Sequence, residues 1–203
     1  MTAPANSNVA AWLPSEEDQA RSQVYRLIGA LLARPPGEDL LKALQTIATG
    51  DGTMKAVWSV LKQTASQAVA GDLTDEYQEL FIGIGRGELV PYGSWYLTGF
   101  LMEKPLAELR SDLARLGFER QANSSEPEDH AAALCETMSL IIANGVEVSF
   151  TQQRDFFRKH LAPWMGRFFA DMAAAKSARF YRAVGLLGEQ FLDIERNYLD
   201  MPA

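Results

Sequence analysis

The sequence predicts an all-α protein, a single globular bundle of about eight to ten helices, and three observations carry that reading. Apolar residues recur at helical spacing in segment after segment, Pro and Gly fall between those segments, and no run shows the strict alternation of a strand. With 203 residues, 47% hydrophobic and 22% charged, the chain is long enough to bury a large core.

Ser15 followed by Glu16, Glu17 and Asp18 is a helix start. Val24, Leu27, Ile28 and Leu31 then share a face until Pro35-Pro36-Gly37 ends the run. The same period returns in Leu40, Leu41, Leu44 and Ile47 and, after the turn "TGDGT", in Met54, Val57, Trp58 and Leu61. A short helix carrying Tyr77, Leu80 and Phe81 follows. The segment "GIGRGELVPYGS", Gly83 to Ser94, breaks the regularity and reads as a functional loop. It is not a dinucleotide fingerprint, because its spacing is G-x-G-x-G and no strand precedes it.

Pro105 opens the next helix, Leu106, Leu109, Leu113 and Leu116 form its stripe, and Gly117 closes it. "ERQANSSE" is a polar connector that divides a helical half over 15–120 from a second over 121–203, with 1–14 as a flexible tail. The second half holds a helix with Leu134, Met138, Ile141 and Ile142, and then a Phe-rich helical region broken at Pro163. A last helix starts near Ser177 and carries Phe180, Tyr181, Val184, Leu187 and Phe191.

The formal net charge of −7, without a Lys/Arg block, removes the electrostatic source of nucleic-acid binding and favours a basic partner. The single cysteine, Cys135, excludes an internal disulfide. No basic start leads into an apolar run, and no stretch approaches the ~20 apolar residues of a membrane span, so a cytoplasmic location is expected. The chain contains no Arg-Arg pair and is not itself a twin-arginine passenger.

The chemistry concentrates in "EPEDH", Glu126 to His130. Ser125 and Glu128 have capping-box spacing, with Pro127 in the first turn, and acids there suit a helix N-terminus. A metal site would need more ligands than Glu126 and His130 supply at i, i+4, and an acid/base enzyme using His130 with Asp129 lacks a nucleophile motif. The remaining reading is recognition: carboxylates that grip arginines beside a greasy groove. Tyr77 and Phe81 at i, i+4, and Trp164 after Pro163, also read as packing, and His160 as a helix-end cation.

Three stretches together, "YQELFIG" with "VPYGSWYL", "EPEDH", and "HLAPWMGRF", resemble the TorD/DmsD family of redox-enzyme maturation chaperones, relatives of the NarJ-type assembly factors. The resemblance runs over residues 15 to 195 or so. It implies a non-enzymatic cytoplasmic chaperone. Such a protein binds the twin-arginine signal peptide, and the body, of an apo-molybdoenzyme and delays export until the cofactor is inserted. Tyr77, Leu80, Phe81, Pro91, Tyr92, Asp129 and His130 match the family's leader-binding positions. Glu126, Pro127, Ser94 and Tyr96 match its signature, and His160, Pro163 and Trp164 a second motif. Asp129 and His130 are the expected polar anchors, and Tyr77, Leu80, Phe81, Pro91 and Tyr92 the expected apolar wall. Ala131 stands where a larger aliphatic is common, and Tyr92 where one branch has tryptophan.

No cofactor is required in this reading. The alternative is a module that binds a guanine nucleotide or the molybdenum cofactor itself, with Arg86 and the amides of "GIGRG" as an anion nest. The resemblance also allows a homodimer made by exchange of halves across the polar connector.

Overall fold

The computed structural model describes residues 14–119, 126–144 and 148–201. Among these are ten α-helices: α1 (Glu16–Ala33), α2 (Glu38–Thr46), α3 (Lys55–Gln67), α4 (Ala70–Tyr77), α5 (Gly93–Thr98), α6 (Lys104–Arg115), α7 (Ala131–Ala143), α8 (Phe150–Phe156), α9 (Met165–Ala174) and α10 (Phe180–Leu199). Two of them run on as π-helical turns, α4 into Gln78–Ile82 and α8 into Phe157–Leu161. The one β feature among the described residues is an isolated antiparallel bridge between Tyr92 and His130. The expected tail lies almost wholly outside the described residues, as does most of the polar connector.

Helix α1 forms as its sequence dictates. The Ser15 hydroxyl accepts the Asp18 amide at 3.0 Å, three acids occupy the first turn, and the helix ends ahead of Pro35. It lies along α7, while α9 lies along α10, and α10 also meets α1, α3 and α4. Helix α10 is central, burying Phe180, Tyr181, Val184, Leu187, Phe191 and Leu192, each side chain contributing ~1.5–3 kcal/mol on leaving water. Its close approach to α9 depends on two glycines. A Cβ on Gly185 would stand 2.7 Å from the Ala173 amide nitrogen, and one on Gly188 2.4 Å from the Phe169 ring.

Two helix starts differ from expectation: a distant carboxylate caps α10, and the His130 side chain caps α7. Helix α10 begins at Phe180 rather than near Ser177, since the buried Glu76 carboxylate accepts the amides of Arg179, Phe180 and Tyr181 at 2.7 to 3.1 Å. Just before it, Glu88 accepts the Lys176 and Ser177 amides. The capping box expected of Ser125 and Glu128 is not how α7 starts. His130 is the N-cap, its Nδ1 accepting the Ala132 amide at 3.1 Å, while Ser125 lies outside the described residues. Glu128 instead precedes the helix and pairs with Arg110 at 2.8 Å. Helix α5 was not anticipated at all.

One ion pair crosses the core. Arg21 of α1 donates Nε to Glu195 Oε1 at 2.6 Å and Nη2 to Oε2 at 3.1 Å, and its guanidinium also bonds Asp18 and covers the Tyr198 ring. Glu195 is fully buried. A second polar knot joins α6 to the π-helical turn after α8: Asp112 takes His160 Nε2 and Lys159 Nζ, each at 2.7 Å, and pairs with Arg115. Burial, then the charge of Lys159 and that of Arg115, outweigh Glu108 and lower the His160 pKa to about 4. His160 is therefore neutral at pH 7, not the helix-end cation that its position suggests.

Replacing Arg21 with Met strands a buried carboxylate and is expected to lower stability by ~3–5 kcal/mol, read from the urea midpoint, with Arg21→Met/Glu195→Leu recovering much of the loss. The His160 pKa sets a second test. The unfolded chain takes up this proton near pH 6.5 while the folded chain resists until about 4, so its contribution is complete above the unfolded value and is lost as pH falls through that window. His160→Gln is expected to flatten the fall in urea midpoint between those two pH values relative to wild type.

Candidate peptide-binding site

The glycine-rich loop is folded back rather than open. Gly83, at φ 61°, ends the π-helical turn, with its amide donating to Gln78 O at 2.7 Å. The chain then returns so that the Leu89 amide reaches Leu80 O at 2.8 Å. A Cβ on Gly83 would meet Arg86 O at 2.1 Å, so this reversal requires glycine. Beyond it, the chain before α5 runs beside the chain before α7, with Tyr92 and His130 bridged. The Ala131 amide donates to Pro91 O at 2.8 Å and the Gly93 amide to Asp129 O at 2.9 Å. The Asp129 side chain completes this strap, with Oδ2 accepting the Ser94 amide at 2.8 Å and so capping α5. Asp129 is 3% exposed and Ser94 is fully buried.

Above the strap lie Tyr92 and Glu126, which solvent reaches, and the His130 imidazole, which is only 8% exposed. The Tyr92 hydroxyl donates to Glu126, and its ring meets the His130 imidazole edge-on at 5.0 Å. Burial, reinforced by Glu126, raises the Tyr92 pKa and keeps the phenol protonated. Burial also lowers the His130 pKa, more than Glu126 and Asp129 raise it. The imidazole is thus neutral at pH 7, and because Nδ1 accepts a hydrogen bond its proton sits on Nε2.

Two furrows flank this point. One of about 610 Å³ lies between α1 and α7, floored by Gly29, Ala30, Ala33 and Ala132, ended by Tyr77, Glu126 and His130, and bordered by Arg26 and Arg34 as well as Glu136. The second, about 300 Å³, shares Glu126, Ala133, Glu136 and Leu140 with the first and is closed by Leu113, Phe118, Glu119, Glu128 and Arg110. Four carboxylates face one guanidinium there, beside a half-apolar floor.

The structure brings Tyr77, Glu126 and His130 together at the larger furrow, sets Tyr92 against Glu126 and His130, and places Ser94 and Asp129 beneath them. It does not assemble the expected apolar wall. Leu80 is fully buried in the core, Pro91 is buried, and Phe81 packs on Tyr77 and Tyr181 at 4.9 and 5.3 Å. Tyr77 is half-buried, with its hydroxyl donating to Leu32 O. Asp129, expected as an exposed anchor, is a buried cap. The second motif lies beneath the strap rather than on the furrow: Trp164 is buried under Gly93, His160 bonds Asp112, and both line a small cavity of about 100 Å³ with Ser94 and Asp129, while Pro163 is exposed. Tyr96 donates to Asp171.

Sequence reasoning missed Glu136 and Leu140, which are exposed and continue the His130 and Ala133 stripe along α7. Their helical spacing from His130 was the available signal, hidden because the apolar stripe of α7 points inward. Among the described residues no three His, Cys, Asp or Glu side chains converge as a metal would require, and no helix is long and apolar enough to cross a membrane.

The nitrate reductase delta subunit family model matches residues 48–170. A chaperone protein TorD of Vibrio parahaemolyticus is 27% identical over 138 residues, covering 63% of this chain and 64% of that protein. The chain thus spans a little under two thirds of that relative. The TorD of Shewanella loihica is 24% identical over 201 residues, covering 88% and 92%. A Haemophilus influenzae protein described as a Tat proofreading chaperone DmsD is 26% identical over 173 residues, covering 80% and 83%. A crystal structure described as a redox enzyme maturation protein of Archaeoglobus fulgidus superposes with a TM-score of 0.57 at 21% identity over 91% of this chain and 99% of that one, a likeness of fold. With the family model matched across more than half its length and TorD and DmsD proteins among its relatives, the chain belongs to the nitrate reductase delta subunit family, the NarJ/TorD family.

Proposed function

We propose that this chain is a non-enzymatic chaperone that binds the twin-arginine leader of a molybdenum-cofactor oxidoreductase and holds it until the cofactor is in place. The family membership supports the chaperone role, and the relatives named for proofreading of twin-arginine substrates support the choice of ligand. The observation that carries the site is the furrow pair around Glu126 and Glu136. Carboxylates of this chain line a half-apolar trough there, within a protein of net charge −7.

The chemistry of recognition follows from this arrangement. A guanidinium offers paired N–H donors that match a carboxylate, and Glu126 and Glu136 stand on the ridge shared by both furrows. The apolar part of a leader would lie along Leu113, Phe118 and Leu140, where removing it from water contributes ~25 cal/mol per Å². The neutral His130 presents an Nε2 proton donor to a backbone carbonyl. Asp129 acts from below by holding Tyr92 and His130 in register, as a positioning residue.

Two outcomes test this. Glu126→Gln with Glu136→Gln is expected to weaken binding of a labelled twin-arginine peptide at least about tenfold in fluorescence anisotropy, with the melting temperature little changed. Equal affinity in the double variant would remove the furrow from the site. Asp129→Ala is expected to cost ~1–3 kcal/mol of stability by orphaning the buried Ser94 amide, and to speed hydrogen exchange at Ser94. Unchanged exchange there would mean that the carboxylate does not hold the strap.

A further inference from the structure

We infer that the groove between α5 and α9 is a second docking surface, and that its occupant is an acidic segment rich in apolar side chains from the body of the client protein. The groove is about 640 Å³ and is lined by Arg86, Trp95, Tyr96, Leu97, Arg167 and Lys176. Arg86 and Lys176 are exposed, and Lys176 lies beside the Glu88 carboxylate that accepts its own amide. The Arg86 guanidinium lies over the Trp95 ring at 5.1 Å and that of Arg167 over Tyr96 at 5.9 Å, with Arg167 only 3.8 Å from Asp171.

The two carboxylates of the groove are already engaged. Glu88 accepts two backbone amides at residues 176 and 177, and Asp171 accepts the Tyr96 hydroxyl. Those bonds do not cancel their charge, so the groove sets three cations, Arg86, Arg167 and Lys176, against two carboxylates, an excess of one positive charge on a chain whose net charge is −7. The argument for a protein segment over a small anion comes from the lip. Helix α5 ends at Gly99, and the next three residues stand out into solvent: Phe100 is 68% exposed, Leu101 48% and Met102 74%, with Met102 held at φ 61°. Leu97, 43% exposed, joins them to the groove floor. A phosphate would be satisfied by the cations and leave these side chains wet, whereas an acidic segment with Leu or Phe between its carboxylates uses both.

Furrow and groove differ in sign. The smaller furrow beside α7 sets four carboxylates against one guanidinium and suits the leader, whereas the groove beside α9 has an excess of one cation, so one client would be gripped at two places by ligands of opposite charge. The identity of the partner as a client protein rests on the chaperone reading, but the chemistry of the groove does not.

The test uses the full chain and three labelled peptides in fluorescence anisotropy: a short acidic probe with Glu alternating with Leu and Phe, its Gln-for-Glu counterpart, and a twin-arginine leader. The acidic probe is expected to bind at least about tenfold more tightly than the Gln probe. That affinity should fall at least about tenfold in Arg86→Glu/Lys176→Glu and also fall in Phe100→Ala/Met102→Ala, while the leader binds all three proteins alike and does not displace the acidic probe. Equal binding of the Glu and Gln probes, or indifference to charge reversal, overturns the inference. Displacement by millimolar inorganic phosphate or GTP, together with no effect of the Phe100/Met102 change, also overturns it and makes the groove a small-anion site. Leader binding with no acidic-probe binding sinks this inference alone, and acidic-probe binding with no leader binding sinks the proposed leader site alone.

Discussion

The bond from the Ser94 amide to Asp129 Oδ2, with the two backbone bonds beside it, is the constraint on which the site depends. It fastens residues 90–93 to 129–131 and thereby joins two segments separated by α5 and α6. Every side chain of the site is indexed to that strap: Tyr92 and His130 form the bridge, Glu126 is drawn to Tyr92, and α7 can begin only where that pairing stops. A buried carboxylate accepting a buried amide contributes more here than its net bond energy suggests, because either group left alone would cost the full loss of hydration.

Acidic residues serve this chain in two distinct ways. Glu76, Glu88, Asp112, Asp129 and Glu195 are consumed by the fold: each accepts amides or cations that would otherwise be unsatisfied, and most are buried. Glu126, Glu128 and Glu136 stand around the furrow, where Glu126 also accepts the Tyr92 hydroxyl and Glu128 pairs with Arg110. The net charge of −7 therefore overstates what the surface can offer a ligand. What matters for recognition is the local excess at the α7 ridge and its reversal in the groove beside α9.

Helices whose signals are local were legible in the sequence. Ser15 and Pro35 bracket α1, and Pro105 and Gly117 bracket α6, because a cap and a breaker act within a few residues. The start of α10 and the whole of α5 were not, since carboxylates dozens of positions away hold their first amides, and α7 starts on a histidine cap that no capping-box spacing announces. The motif residues were legible as a group, but exposure was not. Leu80 and Phe81 are adjacent, yet one points into the core and the other packs half-buried on Tyr181. Nothing at either position alone announces which.

A motif can thus be recognisable because it builds a site rather than because it touches a ligand. Ser94, Asp129, His160 and Trp164 are buried, so their neighbours alone fix their identity: an amide to cap, an aspartate to pair, a glycine to cover. Glu136, Leu140, Arg86 and Phe100 lie on the same framework but in solvent, free to vary without disturbing it. On physical grounds a rigid strap with variable rims lets position and surface chemistry change independently. The strap fixes the geometry, and the exposed ridges can change sequence without disturbing it.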